Sequence, residues 1–355
     1  MTLRDELLRR FPALAKLPPR SYVVGGAIRD LLLGREPLDV DVACDDAASV
    51  ARSIRKNVVT LGRELTAYRI IHRDRIYDFA DTLDGDIARD LRRRDFTVNA
   101  MAIDLASGEL LDPFDGQRDV RERIVRMVDP KNFDDDPLRV LKGVRMAVKY
   151  GFEIEPATHE AMRARASTIA NVAAERVTVE LSMILSSNAF RRAVALLRDF
   201  PLFDGGDFHA DDVSLAGSYA LLAKDARAFA ERWRWSESLL REVLTLQRLI
   251  EHHDRIALFD AGEKIARQLP AVLRALGRDE TLDWPDFTIA PLLTGDEIAL
   301  VASLPPGREL GARKRALVEA QVKGDVTTRE EAEAFVQSSG AAKPSAAKPV
   351  NERSN

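Results

Sequence analysis

The stretch GGAIRDLLLGREPLDVDVAC, residues 25–44, decides the fold. Its end, Asp39-Val40-Asp41, sets two acids two positions apart, and on a β-strand such residues point to the same face. Two carboxylates held side by side repel, so one is driven to protonate unless cations lie between them. Two Mg²⁺ ions about 3.5–4 Å apart would satisfy both and clamp the attacking and leaving oxygens of a phosphoryl transfer. Its beginning, Gly25-Gly26, sits between the apolar run Tyr22–Val24 and a helix expected from about Ala27 through Leu33. Missing Cβ atoms at that point let backbone N–H groups approach a phosphate at a helix entrance, and Arg29 adds a positive charge one turn in. The spacing is neither the GxGxxG dinucleotide fingerprint nor the GxxxxGK[ST] phosphate loop. Alone, the Gly pair reads as a tight turn and the DxD as a solvated edge strand; their adjacency favours a phosphate and metal site.

Working outward, Leu61–Thr66 and Tyr68–Phe79 are strand candidates rich in Ile and Tyr, so the first part is expected to be α/β with a small sheet. From Pro137 onward strand signals fade. Segments such as Ala157–Ile169, Glu175–Leu185 and Phe190–Phe200 carry helical spacing. Gly205–Asp212 reads as a connector, and helices resume until about Val336. The Ala-, Ser-, Pro- and Lys-rich end cannot bury enough apolar surface to offset ordering entropy, so it is expected to be disordered.

The chain has 355 residues, more than the roughly 100–200 of a single domain, which predicts several units. Its net charge of −4 lacks the basic excess that usually marks nucleic-acid binders, so any RNA-binding face has to be local. The single cysteine, Cys44, excludes an intramolecular disulfide and a Cys-based zinc site and fits a reducing cytoplasm. Residues 1–11, MTLRDELLRRF, lack the apolar stretch of a secretory signal, and no run approaches the ~18 apolar residues of a membrane span. His252-His253-Asp254 stands without the further ligands of a metal-dependent phosphohydrolase and reads as surface.

Two further segments carry chemistry. In LRRRDFTVNAMAID, residues 91–104, Phe96, Val98, Ala100 and Ala102 alternate as in a buried strand. Asp95, Thr97 and Asn99 would then share the other face, either as plain solvated surface or to meet a ribose or triphosphate. In DDDPLRVLKGVRMAVKYGFEI, residues 134–154, Pro137 after Asp136 predicts a helix start capped by Asp136. Arg139, Lys142, Arg145 and Lys149 fall within about 120° of that helix with no acid between them, a local basic stripe.

These segments, in this order, resemble the class II tRNA nucleotidyltransferase and bacterial poly(A) polymerase family. GGAIRDLLLG…LDVD is similar to its metal motif, RRDFTVNAMAID to its ribose and triphosphate motif, DPFDG at 112–116 to its hinge, DDPLR to its base-reading motif, and AERVTVELSMIL at 174–185 to its neck. The resemblance covers about residues 20–205. It implies an α+β catalytic head of the polymerase-β nucleotidyltransferase type over 1–130, an all-helical neck over 131–205 that recognises the base, a helical arm for tRNA over 206–336 and a tail over 337–355. It further implies that Asp39 and Asp41 bind Mg²⁺, and that Gly25, Gly26 and Arg29 contact the triphosphate. Arg94, Asp95 and Asn99 would lie against the incoming nucleotide, and Asp136 and Arg139 would read its base, flanked by Lys142 and Arg145. Asp112 would be structural, and Asp78 stands where some members carry a third carboxylate. The substrates implied are tRNA, CTP and ATP in the cytoplasm, away from any membrane.

The sequence departs from the family at three places. Asp135 stands where the base-reading motif usually starts with Glu, and Lys142 where the helix usually carries Arg, keeping the charge without the bidentate fork. The connector DTLDGDIARD, residues 81–90, is short, as in CC-only members, which rely on a separate A-adding enzyme. The alternatives are a poly(A) polymerase of the same fold, which usually carries a basic extension absent from this tail, and a noncatalytic RNA-binding protein, against which the intact Asp39 and Asp41 argue.

Overall fold

A computed structural model describes residues 2–61, 66–200, 202 and 206–338. The expected strand Leu61–Thr66 therefore lies largely outside the described residues, as do Gly205 of the connector and residues 339–355 of the tail. The chain divides into two compact units, the first of residues 1–207 with 227–236, the second of 208–226 with 237 onward.

The first unit opens with helix α1 (Leu3–Arg10), whose N-terminus is closed by a capping box between Thr2 and Asp5. There follow β1 (Tyr22–Val24), α2 (Gly26–Leu32), β2 (Asp39–Cys44), α3 (Ala47–Ile54), β3 (Val59–Leu61), β4 (Ala67–His72), β5 (Arg75–Asp81), α4 (Ile87–Arg92), β6 (Ala102–Asp104) and β7 (Leu110–Leu111). These seven strands form one sheet in the order β3-β4-β5-β2-β1-β6-β7. Only β2 and β5 run parallel; every other neighbour pair is antiparallel.

Strand alternation sorts β2 cleanly. Val40 and Val42 are buried with Tyr77 and Phe79 of β5, and Phe11 meets the Tyr77 ring edge-on at 5.6 Å. Asp39 and Asp41 point to the other face. There α4 covers part of the sheet by packing Leu91 into a cluster with Val24, Ala43 and Ala102. Register then draws a row straight across that face, Arg69–Asp78–Asp41–Val24.

The chain continues through α5 (Gly116–Glu122), β8 (Ile124–Val125), α6 (Asn132–Asp135), α7 (Arg139–Tyr150), β9 (Glu153–Ile154), α8 (Pro156–Ala164), α9 (Ala174–Leu185) and α10 (Phe190–Leu197). Pairing of β8 with β9 adds a two-residue strand to a region otherwise helical.

Two local expectations are corrected. Residues 97–101 do not form a strand: Thr97–Asn99 make a 3₁₀ turn, and Thr97 is buried, donating its hydroxyl to Asp119 at 2.7 Å instead of facing solvent with Asp95. The buried Asp119 also accepts from Arg126 at 3.0 Å, and this polar demand overrides the apolar alternation. Pro137 is likewise not the first residue of its helix, which begins at Arg139. Asp136 still caps the turn, accepting from the Leu138 amide at 3.3 Å.

After α11 (Leu215–Leu222) and α12 (Ala226–Trp233), the second unit runs through α13 (Glu237–Glu251), α14 (Arg255–Ala261), α15 (Glu263–Ala266), α16 (Leu269–Ala275), α17 (Gly295–Val301), α18 (Arg308–Lys323) and α19 (Arg329–Ser338). Its core includes a cluster around Leu249, Leu258 and Leu273 and another around Leu293, Leu317 and Val336. His252 and His253 face Asp254 and Glu280 at 3.2 and 2.9 Å.

Candidate active site

β2 delivers Asp39 and Asp41 to one face, and the parallel neighbour β5 sets Asp78 directly beside Asp41. Asp78 is not free to act with them. Arg69 of β4 grips it with Nε and Nη2 at 2.7 and 2.6 Å, one nitrogen to each carboxylate oxygen. Asp41 opens onto a cleft of about 210 Å³ that Asp78, Asp90, Arg93 and Arg94 also line. Protein atoms crowd it from the other sides, and this loss of solvation pushes its carboxyl up to about 6. Arg94 opposes the rise, while Asp78 and Asp39 add to it.

Gly25 explains why glycine opens α2. Its φ is +78°, and a Cβ would lie 2.8 Å from Arg94 Nη1 and 3.4 Å from Asp41 Oδ2. The Gly turn, Asp41 and Arg94 thus converge on one point.

Arg94 is held there by a residue that sequence reasoning missed. Asp90 on α4 is 1% exposed; its Oδ1 accepts from Arg93 at 2.5 and 3.1 Å and its Oδ2 from Arg94 at 3.2 and 3.4 Å. An acid three and four residues before two arginines is legible as a helical pairing signal once 87–92 is read as helix instead of connector.

Arg29 does not stand open to a ligand. Its side chain is 9% exposed and donates to Asp30 at 3.0 and 2.8 Å, to Asn99 Oδ1 at 2.5 Å and to the Tyr150 hydroxyl at 2.6 Å. Asn99 Nδ2 in turn donates to Asp95 at 3.0 Å. Asp95, Asn99 and Arg29 are therefore one chain of hydrogen bonds beneath the Gly turn.

Two of the four cations of the α7 stripe meet acids brought to them by the fold. Arg145 pairs with Glu180 of α9 at 2.7 Å, and Lys142 meets Asp136 at 3.4 Å. Arg176 of α9 also reaches Asp136, at 3.1 and 3.2 Å. Burial alone would raise the Asp136 carboxyl, but Lys142 and Arg176 hold it below the usual carboxylate range. Lys149 stays exposed, 5.1 Å over the Tyr150 ring. Arg139 Nη1 is buried with no hydrogen-bond partner. Asp112 accepts from the Gly116 and Gln117 amides at 2.6 and 2.9 Å and fastens the start of α5.

Paired carboxylates on a mixed sheet, next to a helix entered through a Gly turn, define a nucleotidyltransferase head. Residues 21–126 match the poly A polymerase head domain, and residues 151–205 match the probable RNA and SrmB-binding site of polymerase A. The CCA-adding enzyme of Lactococcus lactis subsp. cremoris is 29% identical over 91% of this chain and 94% of its own length. The CC-adding tRNA nucleotidyltransferase of Synechocystis is 39% identical over 49% of this chain and 44% of its own. The Bacillus stearothermophilus CCA-adding enzyme in complex with CTP superposes with a TM-score of 0.78 at 25% identity, covering 96% of this chain and 98% of that one. The chain thus carries a poly A polymerase head domain and is similar over most of its length to CCA-adding enzymes.

Proposed function

We propose that the protein adds C and A nucleotides to the 3′ end of tRNA without a nucleic-acid template, using CTP and ATP and releasing pyrophosphate. The observation that carries this reading is the pair Asp39 and Asp41 on one face of β2, with Asp41 lining the cleft it shares with Arg94 and lying beside the Gly25 turn.

Mg²⁺ suits these donors, because both are hard oxygen ligands set side by side on one strand face. Among the described residues no three acids, histidines or cysteines are arranged to hold a metal ion by themselves, so Asp39 and Asp41 would hold it together with substrate phosphates and water. When bound, the divalent ion activates the RNA 3′-hydroxyl and steadies the triphosphate.

The hydroxyl attacks the α-phosphorus of the nucleotide, and pyrophosphate leaves. Gly25 and Gly26 let the triphosphate approach the backbone, and Arg94, fixed by Asp90, supplies positive charge. Asp95 and Asn99 meet the sugar. Arg139 as donor and Asp136 as acceptor read the base edge, with Lys142 and Arg145 holding the surrounding charge. The helical second unit takes the tRNA by shape and phosphate contacts. We read the reaction on tRNA as cytoplasmic; among the described residues no helix is long and apolar enough to cross a membrane.

A second reading, addition of CC alone with a separate A-adding enzyme, is favoured by one observation. Only residues 82–86, largely a 3₁₀ turn, link β5 to α4. Purified protein incubated with Mg²⁺, CTP, ATP or both, on tRNA lacking its CCA end and on tRNA ending in CC, separates the readings at single-nucleotide resolution. CCA on the first and A on the second establish the full reaction. Arrest at CC establishes the second reading, and no RNA extension overturns both.

Arg139→Ala is expected to narrow the preference for CTP over UTP by roughly tenfold or more, the effect of losing one or two charged hydrogen bonds, and to lower the rate with CTP less. Competition between the two nucleotides on one tRNA measures it; an unchanged ratio refutes the base-reading role.

A further inference from the structure

Tyr150 ends α7, the helix whose first turn carries Arg139, and lies 121 positions from Arg29 in sequence. Its hydroxyl accepts from Arg29 Nη2 at 2.6 Å in a buried contact. The guanidinium additionally lies 4.4 Å from the centre of the Tyr150 ring. Four of the five Arg29 N–H groups are thereby spent inside the protein: two on Asp30, one on Asn99 and one on Tyr150. With so little left for a phosphate, Arg29 serves to hold the Asn99 amide, whose own N–H group holds Asp95.

We propose that Tyr150 is a positioning residue for the sugar and phosphate half of the nucleotide site, acting through Arg29 on Asn99 and Asp95. The inference rests on the functional reading above. Its consequence is that α7 contributes at both ends, reading the base at its start through Arg139 and bracing the sugar site at its finish through Tyr150. A fixed donor network costs no reorganisation when the nucleotide arrives, whereas a loose one loses affinity for the groups it should meet.

Tyr150→Phe keeps the ring and removes only the oxygen. The expected result is a KM for CTP raised about tenfold, a narrower preference for CTP over dCTP, and an unchanged preference for CTP over UTP. In an Asn99→Ala background the same substitution should add little, because the path to the sugar is already cut. A purely structural tyrosine would lower the melting temperature and kcat while leaving the CTP to dCTP ratio alone. That outcome, or effects that multiply in the double variant, overturns the proposal. Calorimetric binding of CTP and dCTP to wild type and Tyr150→Phe gives the same comparison without RNA. A wild-type protein that binds CTP and extends no RNA would refute the tRNA reading and still decide the role of Tyr150.

Discussion

Asp41→Asn is expected to abolish nucleotide incorporation and, with divalent cations chelated, to raise the melting temperature. The loss follows from removing one of two carboxylates that would hold the metal, an electrostatic contribution of several kcal/mol, or roughly three to four orders of magnitude in rate. The gain follows from the crowding around Asp41, which together with Asp78 and Asp39 raises its carboxyl to about 6. A group with a raised native pKa binds more protons folded than unfolded, so it weakens the fold as pH rises from about 4 to about 6 and leaves the deficit in place above that. The stability difference between Asp41→Asn and wild type should therefore be small at pH 4, grow through that window, and shrink again when Mg²⁺ is added to wild type. Thermal melts at three pH values with and without Mg²⁺, alongside the extension assay, test both halves. Appreciable residual turnover would sink the metal assignment.

Gly116→Ala is expected to be the most damaging single-methyl change in the first unit. A Cβ at this position would fall 2.4 Å from the Thr97 carbonyl oxygen and 3.0 Å from Met101 Cγ. The nearest obstacle is backbone, so relief requires α5 to move away from the 3₁₀ turn Thr97–Asn99. Overpacking of this kind costs about 2–3 kcal/mol, or roughly 5–10 °C in melting temperature for a unit of this size. Because the displaced turn carries Asn99, KM for CTP should rise as well. A melting temperature equal to wild type would show that the two segments yield without cost.

What could be read without coordinates was whatever depends on near neighbours. Asp39 and Asp41 share a face because strands alternate, and Gly25 opens a helix because the chain needs a positive φ there. Contacts set by strand order or by distant packing left no local trace. Nothing near Asp78 announces that Arg69 would engage both its oxygens, since that depends on β4 and β5 pairing in one register. The charge stripe on α7 looked uniform because Glu180, which pairs with Arg145, comes 35 residues later. Asp95 and Asn99 stand around a turn and not on the strand that the apolar alternation predicts, since burial of Thr97 against Asp119 bends the chain there.

The division of the chain has one more implication. Residues 227–236 belong to the first unit although 208–226 before them and 237 onward belong to the second. This returning segment is anchored: Trp233 is 3% exposed, Thr178 of α9 donates its hydroxyl to the Trp233 carbonyl, and Arg234 pairs with Glu175 at 3.3 Å. The polypeptide passes between units three times, so no single breakpoint in the gene separates them. Recombination that exchanges arms between relatives after position 207 would strip α9 of these partners, and a viable chimaera has to carry residues 227–236 along with the catalytic half.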